Sequence, residues 1–187
     1  LASPGVCAWP VRSATDPLAP ARTYSESGHA SYAQGRTNTE TDFTLAESDV
    51  VLALIRARIA AAVGLPLATF ELTKVLHYEP GQSFSRHFDC LDPALEGHAA
   101  EIAARGQRIA TFLLYLNDDY EGGELEFPHI GLRHRGRTGD AVFFANVDND
   151  MKPERLSLHA AKPVTRGEKF IFSQWIHDRP FTATHQG

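Results

Sequence analysis

The sequence predicts a mainly β fold with flanking helices, in which a helical layer packs against a β-barrel or β-sandwich. Two observations lead to this prediction. One strongly periodic helix pattern is followed by a long series of short strand patterns, whereas a doubly wound parallel sheet would alternate strands with helices. The strand patterns are separated by turn-forming glycines, at positions 122, 123, 131, 136, 139 and 167.

One helix is well marked in the first half of the chain. Thr44 can cap its first turn, and Glu47 three residues later completes a capping box. Apolar side chains then recur every four residues, which places them on one face: Val51, Ile55, Ile59 and Val63. Gly64 and Pro66 end the helix. Residues 1–43 carry clusters of Pro, Ser, Thr and Gly, and we expect short strands and loops there.

After residue 68 the hydrophobic period changes to that of β-strands. The predicted strands are Phe70–Tyr78, Arg108–Leu116, Leu125–Phe127, Leu132–His134, Asp140–Ala145, Leu156–Val164 and Lys169–Ile176. The second of these is long and apolar, which is typical of a central strand. Residues 118–124 form an acidic turn, and the Ala-rich stretch 90–107 has room for a short helix.

Composition is that of an ordinary globular protein. Hydrophobic residues make up 43% and charged residues 22% of the 187 residues, which suits one domain with a substantial core. The net charge of −5 gives no reason to expect a nucleic-acid partner, because binding to phosphates needs clustered Lys and Arg. No apolar run approaches the roughly 18 residues that span a bilayer, so we expect no membrane partner. The oligomeric state stays open.

Cysteine usage favours a reducing compartment. Cys7 and Cys90 are too few for a disulfide framework, so we expect a cytoplasmic protein. Because the first residue is Leu1 rather than Met, we also expect a trimmed N-terminus, and a removed signal peptide stays open.

Two histidines and one carboxylate form a candidate metal site. In an extended chain His87 and Asp89 point the same way, so both can reach one metal ion. His159 lies in an apolar strand pattern, where it is either a core residue or a third ligand. Two His and one carboxylate make the facial triad of non-haem Fe(II) oxygenases, which leaves coordination positions open. A structural zinc site would close them and would more often use cysteine.

Lys169 adds a second feature to this site. It lies ten residues after His159, beyond the turn 165–168, where strand pairing can bring its ammonium near the metal. A buried Lys is costly unless it is paired, and an anionic ligand would supply the pair. The alternative is a partly solvated Lys at the first position of a strand.

Three segments resemble the catalytic domain of the prolyl 4-hydroxylase family. They are HYEPGQSFSRHFD (77–89), RIATFLLYLNDDYEGGELEFP (108–128) and SLHAAKPVTRGEKFIFSQWIH (157–177), and the match covers roughly residues 70–178. The residues before position 70 match loosely, although the segment Arg36-Thr37-Asn38 is similar to an Arg-Thr-Ser segment of that family.

The resemblance implies a double-stranded β-helix, or jelly roll, with cupin-like topology. It implies one dioxygenase domain over 1–187, with N-terminal strands and a supporting helix in 1–69 and a jelly-roll catalytic core in 70–178. The metal is then Fe(II), 2-oxoglutarate and O₂ are the cosubstrates, and ascorbate is the reductant. The activity is hydroxylation of an unactivated C–H bond of a prolyl residue or proline-like substrate, peptidyl or small, with release of succinate and CO₂.

The resemblance also assigns residues. The iron ligands are His87, Asp89 and His159. Lys169 binds the distal carboxylate of 2-oxoglutarate, with cosubstrate contacts from Tyr78, Tyr115 and, by strand parity, Thr111. Candidates for the substrate side of the pocket are Trp175, His177 and Arg108. Trp175 alternatively packs only the core of the jelly roll.

Two other classes compete with the hydroxylase. A cupin-like metal-binding jelly roll that binds a small ligand without catalysis would have no use for a cosubstrate anchor such as Lys169 or Tyr78. A zinc hydrolase would need a general base near an activated water, and the sequence contains no H-E-x-x-H motif.

Overall fold

The structure, a computed structural model, describes residues 2–14, 18–21, 23–24, 30–31, 35–44 and 49–181. Its helices are α1 (Pro4–Ala14), α2 (Val50–Val63) and α3 (Glu96–Arg105). Its strands are β1 (Ala19–Pro20), β2 (Thr23–Tyr24), β3 (Ala30–Ser31), β4 (Thr39–Phe43), β5 (Thr73–Tyr78), β6 (Phe84–His87), β7 (Arg108–Tyr115), β8 (Glu121–Gly122), β9 (Leu125–Phe127), β10 (Leu132–His134), β11 (Ala141–Ala145), β12 (His159–Ala161), β13 (Val164–Arg166) and β14 (Lys169–His177). Within these ranges no helix is both long and apolar enough to cross a membrane.

Two antiparallel sheets form the body of the fold. The major sheet has six strands in the order β1-β4-β5-β14-β7-β11, and the minor sheet has four in the order β10-β9-β12-β6. The last strand of the chain, β14, therefore lies inside the major sheet between β5 and β7 and pairs antiparallel with both. The predicted mainly β fold with flanking helices is confirmed.

β14 separates two apolar cores. Its residues Phe170, Phe172 and Ile176 join a core that also contains side chains of α1 and α2. Ile171 joins a second core, built from side chains of both sheets. Because side chains alternate between the faces of a strand, a strand with a core on each face must be buried throughout, and all nine residues of β14 are. The second core is the one that borders the functional site.

The helices differ in part from the prediction. Residues 4–14 form helix α1, so the expectation of only short strands and loops before residue 44 is wrong. Packing of buried Cys7 and Ala14 against the major sheet outweighs the local turn signals of Pro and Ser. Helix α2 begins after Asp49, whose side chain accepts hydrogen bonds from the backbone amides of Val51 and Leu52, so Thr44 is not the cap. Glu47 lies outside the described residues.

Two differences between the observed and the predicted strands bear on the candidate site. Residues 84–87 form a strand that the sequence did not predict, because two polar residues, Ser85 and Arg86, interrupt its apolar pattern. The predicted strand Leu156–Val164 is divided into a 3-10 turn at Arg155–Ser157 and the strands β12 and β13, which pair with different partners. Both differences concern segments that carry or flank the candidate metal ligands.

Candidate metal centre and adjoining pocket

The pairing of β6 with β12 brings the predicted metal ligands together. His87 and His159 are direct partners in this antiparallel pair, and Asp89 follows β6 by two residues. The His87 Nε2 atom lies 3.5 Å from Asp89 Oδ1, and His159 Nε2 lies 3.9 Å from Asp89 Oδ2. One potential ligand atom from each of the three residues falls within 4.8 Å of the others. The three side chains can therefore bind one ion.

Backbone hydrogen bonds orient both imidazole rings toward that ion. His87 Nδ1 lies 2.8 Å from the carbonyl oxygen of Ser85, and His159 Nδ1 lies 2.8 Å from that of Ser157. A carbonyl oxygen only accepts hydrogen bonds, so each Nδ1 carries the proton and each Nε2 presents its lone pair. This is the arrangement that metal-binding histidines usually have.

Electrostatics favours the protonation states that bind a metal. Burial alone would raise the pKa of Asp89, but the nearby His159 and His87 and the Thr111 hydroxyl outweigh it and hold the pKa well below its usual range. Burial lowers the pKa of His159 to about 4, against the partial opposing effect of Asp89. At neutral pH Asp89 is therefore ionised and His159 is neutral. The donor set fits an Fe(II) facial triad with open positions.

A cleft between the two sheets opens beside this cluster, with about 480 Å³ of empty space including its mouth. The residues that line it are Arg36, Leu76, Tyr78, Phe84, His87, Asp89, Leu113, Tyr115, Leu125, His159, Ala161, Lys169, Ile171, Ser173 and Trp175. The predicted residues Tyr78, Tyr115, Lys169 and Trp175 all belong to this set. The lining is mostly apolar with few convergent polar groups, as ligand sites usually are.

Lys169 is one of two buried cations that line the cleft, and the other, Arg36, forms an ion pair with Glu40. Only 2% of Lys169 is exposed, and its Nζ atom donates to the carbonyl oxygen of Gly123 at 2.6 Å. The ammonium also lies 5.1 Å from the ring centre of Tyr78 and 5.7 Å from that of Tyr115. No carboxylate of the described residues lies within ion-pair distance of it. Burial lowers the pKa of Lys169 to about 8, and Glu124 partly offsets this. Such a cation favours an anionic ligand in the cleft.

Burial keeps the two predicted tyrosines protonated. It raises the pKa of Tyr78 to about 12, and it raises the pKa of Tyr115 further above the usual value. Both phenols are therefore hydrogen-bond donors throughout the physiological pH range. Gly136 packs closely against the Tyr115 ring, because a Cβ atom added at Gly136 would lie only 2.3 Å from it. This packing holds the Tyr115 side chain in place.

The structure places Thr111 behind the metal site rather than at the cleft surface. Its hydroxyl donates to Asp89 Oδ2 at 2.6 Å and receives a hydrogen bond from Asn146 Nδ2 at 2.9 Å. Thr111 is fully buried and is not among the cleft-lining residues. Strand parity correctly put Thr111 and Tyr115 on one face of β7, but only Tyr115 reaches the cleft. The sequence contained no signal for Asn146.

His177 and Arg108 are likewise not among the residues that line the cleft. Trp175 lines the cleft, but His177, two residues further along β14, does not. The His177 ring lies 3.0 Å from Glu71 Oε2. Strand alternation does not indicate where along a strand a cleft ends.

Glu71 holds Arg108 against Trp175. Its two carboxylate oxygens accept hydrogen bonds from Arg108 at 2.8 Å each, and the Arg108 guanidinium lies 3.9 Å from the centre of the Trp175 ring. Burial opposes ionisation of Glu71, but Arg108 and His177 lower its pKa to about 2. Trp175 Nε1 is buried and has no hydrogen-bond partner in the described part of the chain. Sequence reasoning missed Glu71, which belongs to no motif.

Fold and site together define a two-sheet protein in which a cluster of two histidines and one carboxylate, able to hold a metal ion, lies beside a cleft that contains a buried lysine. The 2OG-Fe(II) oxygenase superfamily matches residues 73–177. The chain belongs to this superfamily. Fe(II) as the metal, with 2-oxoglutarate and O₂ as cosubstrates, follows from that membership.

Two relatives illustrate the sequence similarity. The chain is 36% identical over 148 residues to "Probable prolyl 4-hydroxylase 9" of Arabidopsis thaliana, which covers 71% of this chain and 50% of the relative. It is 37% identical over 127 residues to "Putative prolyl 4-hydroxylase" of Acanthamoeba polyphaga mimivirus, covering 66% of this chain and 52% of the relative. The chain thus spans about half the length of these curated relatives, and the resemblance to prolyl 4-hydroxylases is confirmed.

A solved structure is similar to this chain in its fold as well as in its sequence. The viral collagen prolyl hydroxylase of Paramecium Bursaria Chlorella virus-1, solved with 2-oxoglutarate, is similar to this chain with a TM-score of 0.71 and 26% identity. The superposition covers 94% of this chain and 91% of that one. The predicted double-stranded β-helix is confirmed.

Proposed function

We propose that the protein is an Fe(II)- and 2-oxoglutarate-dependent dioxygenase that hydroxylates an unactivated C–H bond of a prolyl residue or proline-like substrate. One atom of O₂ goes to the substrate and the other to succinate, and CO₂ is released. The observation that carries the proposal is the buried ammonium of Lys169, which has no carboxylate partner among the described residues and lies in the same cleft as the His87, Asp89 and His159 cluster. A metal-binding protein without a cosubstrate has no need for that cation.

Six residues at the cleft have individual roles in this proposal. His87, Asp89 and His159 hold Fe(II), which when bound supplies the activation of O₂. Lys169 binds the distal carboxylate of 2-oxoglutarate by a charge-assisted hydrogen bond, and the neutral phenols of Tyr78 and Tyr115 donate to the same molecule. The apolar lining excludes water, which strengthens these polar contacts and keeps the reaction coupled.

Peptidyl proline is the substrate class that we favour. Its support is the naming of the Arabidopsis and mimivirus relatives as prolyl 4-hydroxylases. We further propose ascorbate as the reductant that returns oxidised iron to Fe(II). A cytoplasmic location is proposed from the two buried free thiols, Cys7 and Cys90.

The assay that tests the proposal combines purified protein, Fe(II), 2-oxoglutarate, ascorbate and a proline-rich peptide. We expect succinate in proportion to a peptide product that carries one additional oxygen atom on proline, detected by mass spectrometry. Asp89→Ala serves as the inactive control. If iron binds but 2-oxoglutarate is neither bound nor converted, the protein is a metal-binding jelly roll and the proposal fails.

Trp175→Phe tests whether this side chain contacts the substrate. Phenylalanine keeps a ring beneath Arg108 but removes the buried indole N–H, which has no partner among the described residues. If that N–H donates to the substrate, its loss removes about 0.5–1.5 kcal/mol and raises the KM for the peptide about two- to tenfold. The affinity for 2-oxoglutarate and the melting temperature should change little. A lower melting temperature with unchanged coupled turnover per folded molecule would assign Trp175 to packing alone.

A further inference from the structure

A chain of hydrogen bonds extends from β11 through β7 to the carboxylate of Asp89. Asn146, which follows β11, donates from Nδ2 to Thr111 Oγ1 at 2.9 Å, and the Thr111 hydroxyl lies 2.6 Å from Asp89 Oδ2. Asn146 and Thr111 are completely buried, and Asp89 is 9% exposed. Backbone hydrogen bonds of Asn146 to Ile109 and Glu154 fix its position. The hydrogen bonds that connect the three side chains therefore lie behind the cleft surface.

The geometry sets the direction of these hydrogen bonds. The Thr111 hydroxyl has one hydrogen, and its two possible acceptors are Asp89 Oδ2 at 2.6 Å and Asn146 Oδ1 at 3.2 Å. The carboxylate is ionised and nearer, and hydrogen bonds to charged acceptors are the shorter and stronger ones. The amide N–H of Asn146 meanwhile donates to the Thr111 oxygen, so the hydroxyl hydrogen is directed to Asp89.

We propose that Asn146 and Thr111 are positioning residues that keep Asp89 a one-oxygen metal ligand. Each carboxylate oxygen lies near one histidine, Oδ1 at 3.5 Å from His87 Nε2 and Oδ2 at 3.9 Å from His159 Nε2. Thr111 engages Oδ2, which leaves Oδ1 for the metal. A facial triad leaves the remaining coordination positions open for its cosubstrates. A carboxylate that bound through both oxygens would take one of those positions and compete with 2-oxoglutarate.

This inference rests on the proposed function, and Co(II) is a probe that separates the two. Co(II) binds the same types of ligand as Fe(II), and its visible absorption reports the coordination number without turnover. In Thr111→Val the hydroxyl is replaced by a methyl group of similar size. In the absence of 2-oxoglutarate we expect a changed Co(II) spectrum. The affinity of the Co(II) complex for 2-oxoglutarate should be weakened about tenfold, which is the lower end of the loss in metal affinity or activity that outer-shell changes cause.

Three variants make the test specific. Thr111→Ser keeps the hydroxyl and should restore the wild-type spectrum and affinity. Asn146→Asp replaces the amide donor by an acceptor, which draws the Thr111 hydrogen away from Asp89. The Asn146→Asp protein should therefore show the spectrum expected of Thr111→Val, and it provides the test if Thr111→Val folds poorly. Thr73→Val is the matched control, because Thr73 is equally buried and its hydroxyl donates to Gln174 at 2.7 Å without touching Asp89. It should lower the melting temperature without altering the Co(II) spectrum.

The outcomes are distinguishable. A wild-type Co(II) spectrum and wild-type 2-oxoglutarate affinity in both Thr111→Val and Asn146→Asp would overturn the inference. A wild-type protein that binds Co(II) but not 2-oxoglutarate would overturn the proposed function instead, and the spectra of the Thr111 variants would still decide whether the hydroxyl controls how Asp89 binds.

Discussion

Replacing His159 or Asp89 by alanine is expected to abolish Fe(II) binding while the fold survives. Each change removes one of three donors, so the loss of iron affinity should exceed the ~10–100-fold that follows from losing an outer-shell partner. The fold should persist because both side chains border a cleft rather than fill a core. His87→Ala should behave in the same way.

Anaerobic titration with Fe(II) measures this prediction, and circular dichroism checks the fold. In the wild-type protein Fe(II) should raise the melting temperature, since a ligand that binds only the folded state stabilises it. The alanine variants should lose that increase. His129→Ala is the control, because His129 is exposed and lies outside the cluster. A variant that keeps wild-type iron affinity would remove its residue from the metal site.

Lys169→Ala should weaken the binding of 2-oxoglutarate without affecting iron. A charge-assisted hydrogen bond contributes roughly 1.5–3 kcal/mol, which corresponds to about one to two orders of magnitude in the dissociation constant. Lys169→Arg should retain part of the affinity, because a guanidinium also binds carboxylates but with a different shape. The charge-transfer absorbance of the anaerobic Fe(II) complex measures the constant. Lys152→Ala, at an exposed lysine, is the matched control. An unchanged constant in Lys169→Ala would show that another residue anchors the cosubstrate.

The pH dependence provides an independent check on Lys169. Burial lowers its pKa from the ordinary value of 10.5 to about 8, so the ammonium loses its proton as the pH rises through that value. The affinity for 2-oxoglutarate should fall above about pH 8 in the wild type and stay level in Lys169→Arg. Between about pH 8 and 10.5 the unfolded chain binds more protons at this residue, so this residue's contribution to the free energy of unfolding rises with pH. Opposite trends in affinity and stability are therefore expected.

Much of the site could be predicted because its residues are marked locally. The pair His87 and Asp89 has the spacing of two side chains on one side of an extended chain, and His159 stands out as a polar residue in an apolar pattern. Lys169 begins a strand that is buried throughout, where a cation has few uses other than binding an anion. The resemblance to the prolyl 4-hydroxylase family then indicated that these four residues belong to one site.

The rest of the site depends on contacts between residues distant in sequence. Thr111 lies 22 positions from Asp89 and 35 from Asn146, and Glu71 lies 106 positions from His177. Strand alternation indicates which side chains share a face of a sheet. It does not indicate which residue from a distant part of the sequence contacts each of them. Alternation also does not indicate where along β14 the cleft ends, and His177 is not among the residues that line it. These partners could not be derived without the tertiary structure.

Patterning and residue chemistry, which are properties of single segments, predicted the mainly β class, the candidate ligands His87, Asp89 and His159, and the cation Lys169. Only the tertiary structure shows that residues 4–14 form a helix, that Asp49 caps α2, and that Thr111 donates a hydrogen bond to Asp89 rather than lining the cleft. The physical reason is the same in each case. The stabilising contact is made with another part of the chain or requires a particular local geometry. Its energy outweighs the conformational preference of the local sequence.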